Sequence, residues 1–346
     1  VAAAKGSGST VSVNGIEVRV SSLDRPMWVE GADVITKGDL IGYYRRMASV
    51  LLRQLQGRPT TMQRFPDGVI IEGQARDSFY NKHLPKSAPA YVDSATVTFP
   101  SGRTGVQLCP ENEASIVWAA NQGCVTFHPW PVHSALPDDP DELRLDLDPQ
   151  PGTGFAEAVS AAVALRELLR EVGLDPYVKT SGGRGLHVFC AIEPRWEFLE
   201  VRHAAIALGR ELERRRPDLV TTAWWKEERG ARVFVDYNQM ARDRTMASAW
   251  SLRPRMGAPV STPLTWDELG GIDPSDFTIG TVPDRLAALG DPWERLGDSP
   301  GSLDGALAMW QEDFADRGLG EMPFPPDYPK MPGEPPRVQP SRKRVD

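Results

Sequence analysis

Cysteine is scarce in this chain. Its 346 residues hold three, Cys109, Cys124 and Cys190, too few and too far apart for a disulfide framework. Such usage suits a reducing compartment, and a cytoplasmic location is the expectation. No apolar run approaches bilayer-spanning length, so no membrane partner is expected. The opening VAAAKGSGST is too short and too polar for a secretory signal, and residues 1–13 read as a disordered leader. There is no CxxC pair, no GxxxxGK[ST] phosphate loop and no internal repeat. Net positive charge is missing too, since the formal balance is −8.

That balance is unevenly placed. Residues 265–335 carry 15 acidic against 4 basic side chains, whereas residues 210–255 carry 11 basic against 7 acidic. A basic body with an acidic tail keeps a nucleic-acid backbone open as partner. Solvated helix faces explain the same charges equally well.

What is present is a mixed α+β pattern of ordinary globular composition, 40% hydrophobic and 25% charged. GIEVRV alternates as a strand. Thr36-x-x-Asp39 resembles a capping box, and apolar spacing from Leu40 to Leu55 predicts a helix that Gly57 stops. Shorter, choppier text follows to Val125. The centre then reads as a strand at Leu143–Asp148, a helix at Gly154–Val172 and a strand at Tyr177–Thr180. A glycine-rich turn at Ser181–Gly185 leads to a strand at Leu186–Ile192, a helix at Trp196–Arg216 and a strand at Ala231–Tyr237. This is the βαββαβ, RRM or ferredoxin-like order, in which the first strand lies between the third and fourth. A helix start is expected at Thr265-x-x-Glu268. The boundaries follow: a core over 14–297, with an N-terminal module at about 14–135 and a palm at about 136–260. An acidic, then proline-rich extension over 298–346, partly disordered, completes the reading.

The stretch LRLDLDP, Leu143 to Pro149, poses the chemical question. Side chains at i and i+2 share a strand face, so the three leucines face the helices while Asp146 and Asp148 crowd together opposite. Asp236 ends the fourth strand beside them, and His187 opens the third. Three carboxylates on one face need a counter-charge, and a divalent hard cation, Mg²⁺ or Mn²⁺, is the natural one. D-x-D alone is also ordinary turn chemistry. KTSGGRGLH (Lys179–His187) adds a strand, a three-glycine turn and a second strand. It exposes backbone N–H groups, with Ser181, Arg184 and His187 as side-chain donors, to an anion such as a triphosphate. A tight hairpin turn is the bland alternative. A competing zinc set, Cys109, Cys124, His128 and His133, is disfavoured by Pro129 and Pro131. Of that set, His128 lies just upstream of the acidic strand and is expected to reach its face. Phe79 and Tyr80, with Lys82 nearby, lie between loop signals, where an aromatic can stack on a base. Arg244 and Arg253, in the arginine-rich loops after Asp236, are further candidate contacts.

DLDP, TSGGRGLH, RVFVDYNQ and SLRPRMGAPVSTPLTWDEL, in consistent order from about Asn14 to Gly297, resemble the polymerase domain of bacterial ligase D and its stand-alone relatives in the archaeo-eukaryotic primase superfamily. The resemblance implies an RRM-like palm and a template-dependent nucleotidyltransferase (a primase-polymerase) that fills short gaps and extends broken ends, often with ribonucleotides. It implies Asp146, Asp148 and Asp236 as ligands of two metal ions. Ser181, Arg184, His187 and Arg229 look like triphosphate contacts, and His128 like the histidine near the incoming sugar. Arg64 looks like a retained nucleotide contact. Phe79 and Tyr80 match aromatics that stack on the base or template. Arg25 and Lys37 occupy the places of two basic residues that grip a gap's 5′-phosphate. Arg184 stands where relatives often have Lys, and so does Gln63, just before Arg64. No KxDG motif occurs, so a separate DNA ligase is implied, with a DNA-end-binding protein such as Ku as possible partner and a bacterial, nucleoid-associated location. De novo priming is a reading within the same class. A metal-dependent nuclease using the same acids, or a non-catalytic end-bridging module using the basic body, are readings from other classes.

Overall fold

Residues 8–324 are described in this computed structural model. The N-terminal half opens with β1 (Ser9–Val13), β2 (Ile16–Val20), β3 (Pro26–Glu30) and β4 (Asp33–Thr36), followed by helix α1 (Lys37–Leu55). Next come β5 (Thr60–Arg64), β6 (Ile70–Ile71), β7 (Gln74–Ala75), β8 (Phe79–Asn81), β9 (Ser94–Thr98) and β10 (Thr104–Leu108). Helix α2 (Glu113–Asn121) and β11 (Cys124–Pro129) close this half. The second half is β12 (Glu142–Pro149), α3 (Phe155–Glu171), β13 (Pro176–Thr180), β14 (Leu186–Ala191) and α4 (Phe198–Arg215). It continues through β15 (Val220–Thr221), β16 (Val233–Asp236) and β17 (Pro263–Leu264) to α5 (Val282–Leu289) and α6 (Asp304–Ala315).

Capping sets the helix starts. Thr36 Oγ1 accepts from the Asp39 backbone N–H at 3.2 Å while the Asp39 carboxylate accepts from the Thr36 N–H at 2.7 Å, the reciprocal box that the sequence suggests. Glu157 and Glu200 do the carboxylate half of that work for α3 and α4, accepting from the N–H groups of Gly154 and Glu197 at 2.7 and 2.9 Å.

The palm sheet has the order β15-β16-β12-β14-β13-β17. Its inner four strands are antiparallel and follow the βαββαβ path, with β12 between β14 and β16. Leu143, Leu145 and Leu147 are fully buried on the side covered by α3 and α4. The opposite side of β12 is not open along its whole length. Arg144 is buried there, its guanidinium donating to the carbonyls of Pro129 and Trp130 at 2.6 and 3.0 Å and to Glu142. The N-terminal sheet, ordered β11-β5-β10-β9 with β8 also on β5, therefore roofs the upper palm and leaves only its lower end accessible. Among the described residues no helix is long and apolar enough to cross a membrane.

Three expectations change. Ser9–Val13, placed in a disordered leader, pairs with β2 from Ser9↔Val20 to Val13↔Ile16, because alternating Val11 and Val13 can cover the core. Residues 1–7 lie outside the described residues. The Thr265-x-x-Glu268 signal leads only into a 3-10 turn at Leu269–Gly271, which has no side-chain cap; Thr265 Oγ1 donates to the Glu268 carboxylate instead, and the two glycines there offer no helix to propagate. Residues 298–324, read as a loose extension, instead contain α6, and Leu303 and Ala306 are fully buried. The rest of that extension, 325–346, lies outside the described residues. The acidic character of 298–324 explains the packing: Asp313 is buried among Arg210, Arg214 and Arg317.

Leu145 sits at the centre of this arrangement. Leu145→Ala should cost about 2–5 kcal/mol of stability, as large-to-small changes at filled core positions do, measured as a lower urea midpoint at unchanged m-value.

Candidate active site

Register alone assembles the lower palm. Asp146 is paired across to His187 on β14 and to Asp236 on β16, and His187 is paired to Lys179 on β13. Directly opposed residues share a face, so Asp236, Asp146, His187 and Lys179 form one row across four strands. Asp148, two residues beyond Asp146, adds a third carboxylate on the same side.

Burial grades the row. Lys179 is fully buried, whereas the Asp146 side chain keeps 23% of its surface and Asp148 is exposed. Lys179 Nζ lies 2.6 Å from His187 Nδ1 and donates to Ser261 Oγ at 2.6 Å, and that hydroxyl donates to the Thr180 carbonyl. With the lysine as donor, Nδ1 accepts and the ring hydrogen sits on Nε2, 3.5 Å from Asp146 Oδ1. Burial, reinforced by Lys179 and Arg253, holds His187 far below its ordinary value, so the ring is neutral at pH 7. Burial first, then the charges of Asp236 and Asp148, pushes the Asp146 carboxyl up to about 8. Burial also raises Asp236, although the Asn238 N–H and Gln239 Nε2 donate to its oxygens at 3.0 and 2.8 Å.

The glycine turn packs tightly against the acidic strand. A Cβ on Gly185 would stand 2.5 Å from the Leu147 carbonyl oxygen, and Gly182, at φ +71°, would meet Arg253. Ser181 Oγ accepts from the Gly185 N–H at 3.2 Å, and Arg184 reaches the Pro149 carbonyl at 3.3 Å. Arg229 is held by the carbonyls of Ala223 and Trp224, stacks on Phe234 at 3.4 Å and touches Gln150, which also donates to Asp148 at 3.1 Å. Arg253 arrives on a segment stitched to the N-terminal half: Thr126 Oγ1 donates to the Leu252 carbonyl and Trp28 Nε1 to the Arg255 carbonyl. Its Nε is buried with no protein partner, and its charge acts on Asp146, His128, Lys179 and Tyr80. Arg244 is exposed and near enough to act on Asp236.

The roof contributes His128. Its Nε2 contacts Gln63 Oε1 at 3.4 Å and its ring lies 5.5 Å from that of Tyr80. Burial, then Arg253 and Lys179, pulls it down to about 3, which leaves it neutral. Phe79 and Tyr80 are each 56% exposed, large aromatic surfaces left in solvent. Neighbouring strand residues point to opposite sides, so Gln63 joins His128 and Tyr80 while Arg64 and Phe79 face away. Arg64 instead lies with Arg25 and Lys37, whose charges it perturbs, and its Nε donates to the Gln122 carbonyl at 2.7 Å. Lys37, almost fully buried, is pushed down to about 8 by burial first and then by Arg25 and Arg64. Lys82 is committed to Asp243 at 2.7 Å.

Among the described residues, no three or more His, Cys, Asp and Glu side chains are gathered into an ion cage as they stand. Of the Cys109, Cys124, His128 and His133 set, His133 is paired with Asp141 at 3.1 Å and Cys124 contacts the Thr126 carbonyl. The aspartates turn partly to Gln150, Asn238 and Gln239. Their chemistry nonetheless fits a hard divalent ion: three carboxylates share one face, and burial together with their mutual repulsion raises Asp146, a cost that a cation relieves.

Lys179, Gln150, Asn238 and Gln239 escape sequence reading as site residues. For Lys179 a signal existed, because a hairpin that places His187 on the outer face places its cross-strand partner there too.

The lower palm thus sets three carboxylates beside a glycine turn and the arginines Arg229 and Arg253. Residues 36–293 match the family described as LigD, primase-polymerase domain. The chain is 32% identical over 293 residues to the multifunctional non-homologous end joining protein LigD of Mycobacterium bovis, covering 82% of this chain and 38% of that protein. It is 30% identical over 279 residues to the bifunctional LigD of Bacillus subtilis, covering 80% and 44%. The polymerase domain from Mycobacterium tuberculosis Ligase D in complex with DNA superposes with a TM-score of 0.73 at 31% identity, over 81% of this chain and 98% of that one. This chain belongs to the LigD primase-polymerase domain family. It spans less than half the length of these curated relatives.

Gly185→Ala should move the turn off β12 and cost about 1–3 kcal/mol, while Gly270→Ala, where an added methyl meets nothing within 4 Å, should stay within about 0.5 kcal/mol. Urea denaturation of the two variants reads the difference.

Proposed function

We propose that this chain is a DNA-templated polymerase that fills short gaps and extends broken ends by phosphoryl transfer, with NTPs preferred over dNTPs. The observation that carries this reading is the row Asp236–Asp146–His187, in register, beside Arg253, whose Nε is buried with no protein partner. Phosphoryl transfer needs little covalent chemistry from the protein. It needs positioned phosphates and a field that stabilises developing charge.

Two ions, Mg²⁺ or Mn²⁺, held by Asp146, Asp148 and Asp236 would supply activation of the primer 3′-hydroxyl and neutralisation of the leaving pyrophosphate. The protein's own groups do the rest. Ser181 and the turn after it offer hydroxyl and N–H donors to the triphosphate, and Arg184, Arg229 and Arg253 offer guanidinium groups. His187 presents its Nε2 hydrogen towards the same place. His128, neutral and paired with Gln63, stands at the sugar position and supports the ribonucleotide preference. Phe79 and Tyr80 stack on bases. Arg25 and Lys37, joined by Arg64 rather than leaving it at the nucleotide, receive the 5′-phosphate across a gap. Lys82, spent on Asp243, serves the loop, and Arg244 is a contact near Asp236. The product is a nick, so a separate ligase must follow, with an end-binding protein such as Ku as partner in end joining.

Asp148→Ala should lower primer extension on a gapped duplex by roughly 10²–10³-fold or more while gel-shift affinity for the DNA holds. Extension at the parent rate would overturn the mechanism, and primer shortening without added nucleotide would indicate a nuclease.

The 5′-phosphate pocket makes a second expectation with a sign. With Lys37 at about 8, the empty pocket loses a positive charge as pH rises through that value, while the phosphate stays dianionic. The preference for a 5′-phosphate over a 5′-hydroxyl gap should therefore fall about tenfold between pH 7 and pH 9. Extension rates on the two substrates measure it, and Lys37→Arg should flatten the profile.

A further inference from the structure

The carboxylate of Asp236 is tied, through two side chains, to a segment that the family match does not include. Asn238 donates its backbone N–H to Asp236 Oδ1 at 3.0 Å. The same Asn238 accepts from Arg202 Nε through Oδ1 at 3.0 Å and donates from Nδ2 to the Pro323 carbonyl at 3.1 Å. Arg202 then spends its remaining donors on Glu321 at 2.6 Å and on the carbonyls of Met322 and Pro323 at 2.7 and 3.3 Å. Its guanidinium lies 5.5 Å from the Tyr237 ring and 5.3 Å from the Phe324 ring. Tyr237 is the residue that follows Asp236. The family match ends at residue 293, so residues 321–324 lie beyond it.

This junction is built rather than incidental. Arg202 is 4% exposed, and a buried guanidinium is retained only where its donors are matched. The segment is also anchored upstream. Arg210 Nη2 donates to the Gly320 carbonyl at 2.6 Å, and Arg210 and Arg214 both meet the buried Asp313 of α6. Arg202, Arg210 and Arg214 follow one another at helical spacing, so a single side of α4 presents all three to the acidic segment. Glu321 bridges Arg202 and His203, and the His203 ring stacks on Trp310 at 4.1 Å.

We propose that Arg202 is a positioning residue: by clamping residues 321–323 against Asn238, it fixes the turn after β16 and so sets where the Asp236 carboxylate stands. The C-terminal segment is then a working part of the reactive centre. This rests on the reading of Asp236 as part of that centre. Loss of the clamp frees the Asn238 side chain and loosens the turn after β16, whose Asn238 backbone N–H orients one of the two Asp236 oxygens.

The test uses the full chain and four variants: Arg202→Met, Arg202→Lys, Glu321→Gln and Asp236→Ala. Extension of a gapped duplex gives kcat and nucleotide KM, at a temperature where circular dichroism shows every variant folded. Mn²⁺ affinity is followed separately by EPR, with duplex and a non-hydrolysable nucleoside triphosphate present. Arg202→Met should lower kcat about 10–100-fold with nucleotide KM changed less than about threefold, and should weaken the tightest Mn²⁺ about tenfold. Arg202→Lys and Glu321→Gln should fall between it and the parent. A clamp that only stabilises the fold would lower the melting temperature and leave kcat and Mn²⁺ affinity at parent values, and that outcome overturns the inference. If Asp236→Ala extends primers as the parent does, the reading of the site fails instead.

Discussion

Strand β12 pairs on both edges, with β14 on one side and β16 on the other, and that double pairing fixes the chemistry of the molecule. A one-residue slip against either neighbour would turn every side chain of the slipped strand to the other face. The three buried leucines forbid the slip, because it would send Leu143, Leu145 and Leu147 to the wet side and two aspartates into the helices. Apolar burial on one face therefore sets the carboxylate geometry on the other. The outer face needs no dedicated loop to bring Asp146 and Asp236 together. It needs only the register, which the hydrophobic core enforces.

Placing like charges together carries an electrostatic cost, and the rest of the site offsets it. Arg253 and Lys179 lie near enough to Asp146 to oppose the push of its neighbouring acids. Both are buried cations whose own charged forms are disfavoured by burial. The site is thus frustrated in both signs when empty: carboxylates crowd on one side, cations on the other. A polyanion accompanied by divalent cations relieves both at once, which is the composition of a metal-bound nucleoside triphosphate. The two neutral histidines, His128 and His187, fit the same logic, since further positive charge there would be repelled by Arg253 and Lys179.

Much of this was legible in the residues. The alternation of LRLDLDP, the helix periodicities and the βαββαβ order follow from local physics, and the strand order observed is the one that order dictates. Gly57 and the Thr36–Asp39 box marked helix ends for the same local reason. What escaped depends on contacts between distant parts of the chain. Arg64 follows Gln63 by one residue and yet faces the other side of β5, a parity that emerges only once β8 and β11 are paired. Lys82 looked available beside two aromatics, but Asp243, far along the chain, takes it. Composition also hid α6, which lies within the acidic text read as a partly disordered extension.

That last case shows why net charge is a weak guide to partner. A balance of −8 argues against nucleic acid if charge is spread evenly. Here many of the acids of the C-terminal third are matched inside the molecule. Asp284 and Asp291 pair with Arg46 and Arg53 of α1, Asp313 with arginines of α4, and Glu321 with Arg202. Their basic partners are spent as well, so these pairs add nothing to the distant field. Positive charge that acts at the site comes instead from arginines and lysines on the palm and its roof, several of them buried and facing the carboxylates. The field met by a phosphate is decided within a Debye length, about 8–10 Å at ordinary salt, and a charge summed over the whole chain does not describe it. With those acids paired inside the molecule, the cations beside the carboxylates, Lys179 and Arg253, set the local field.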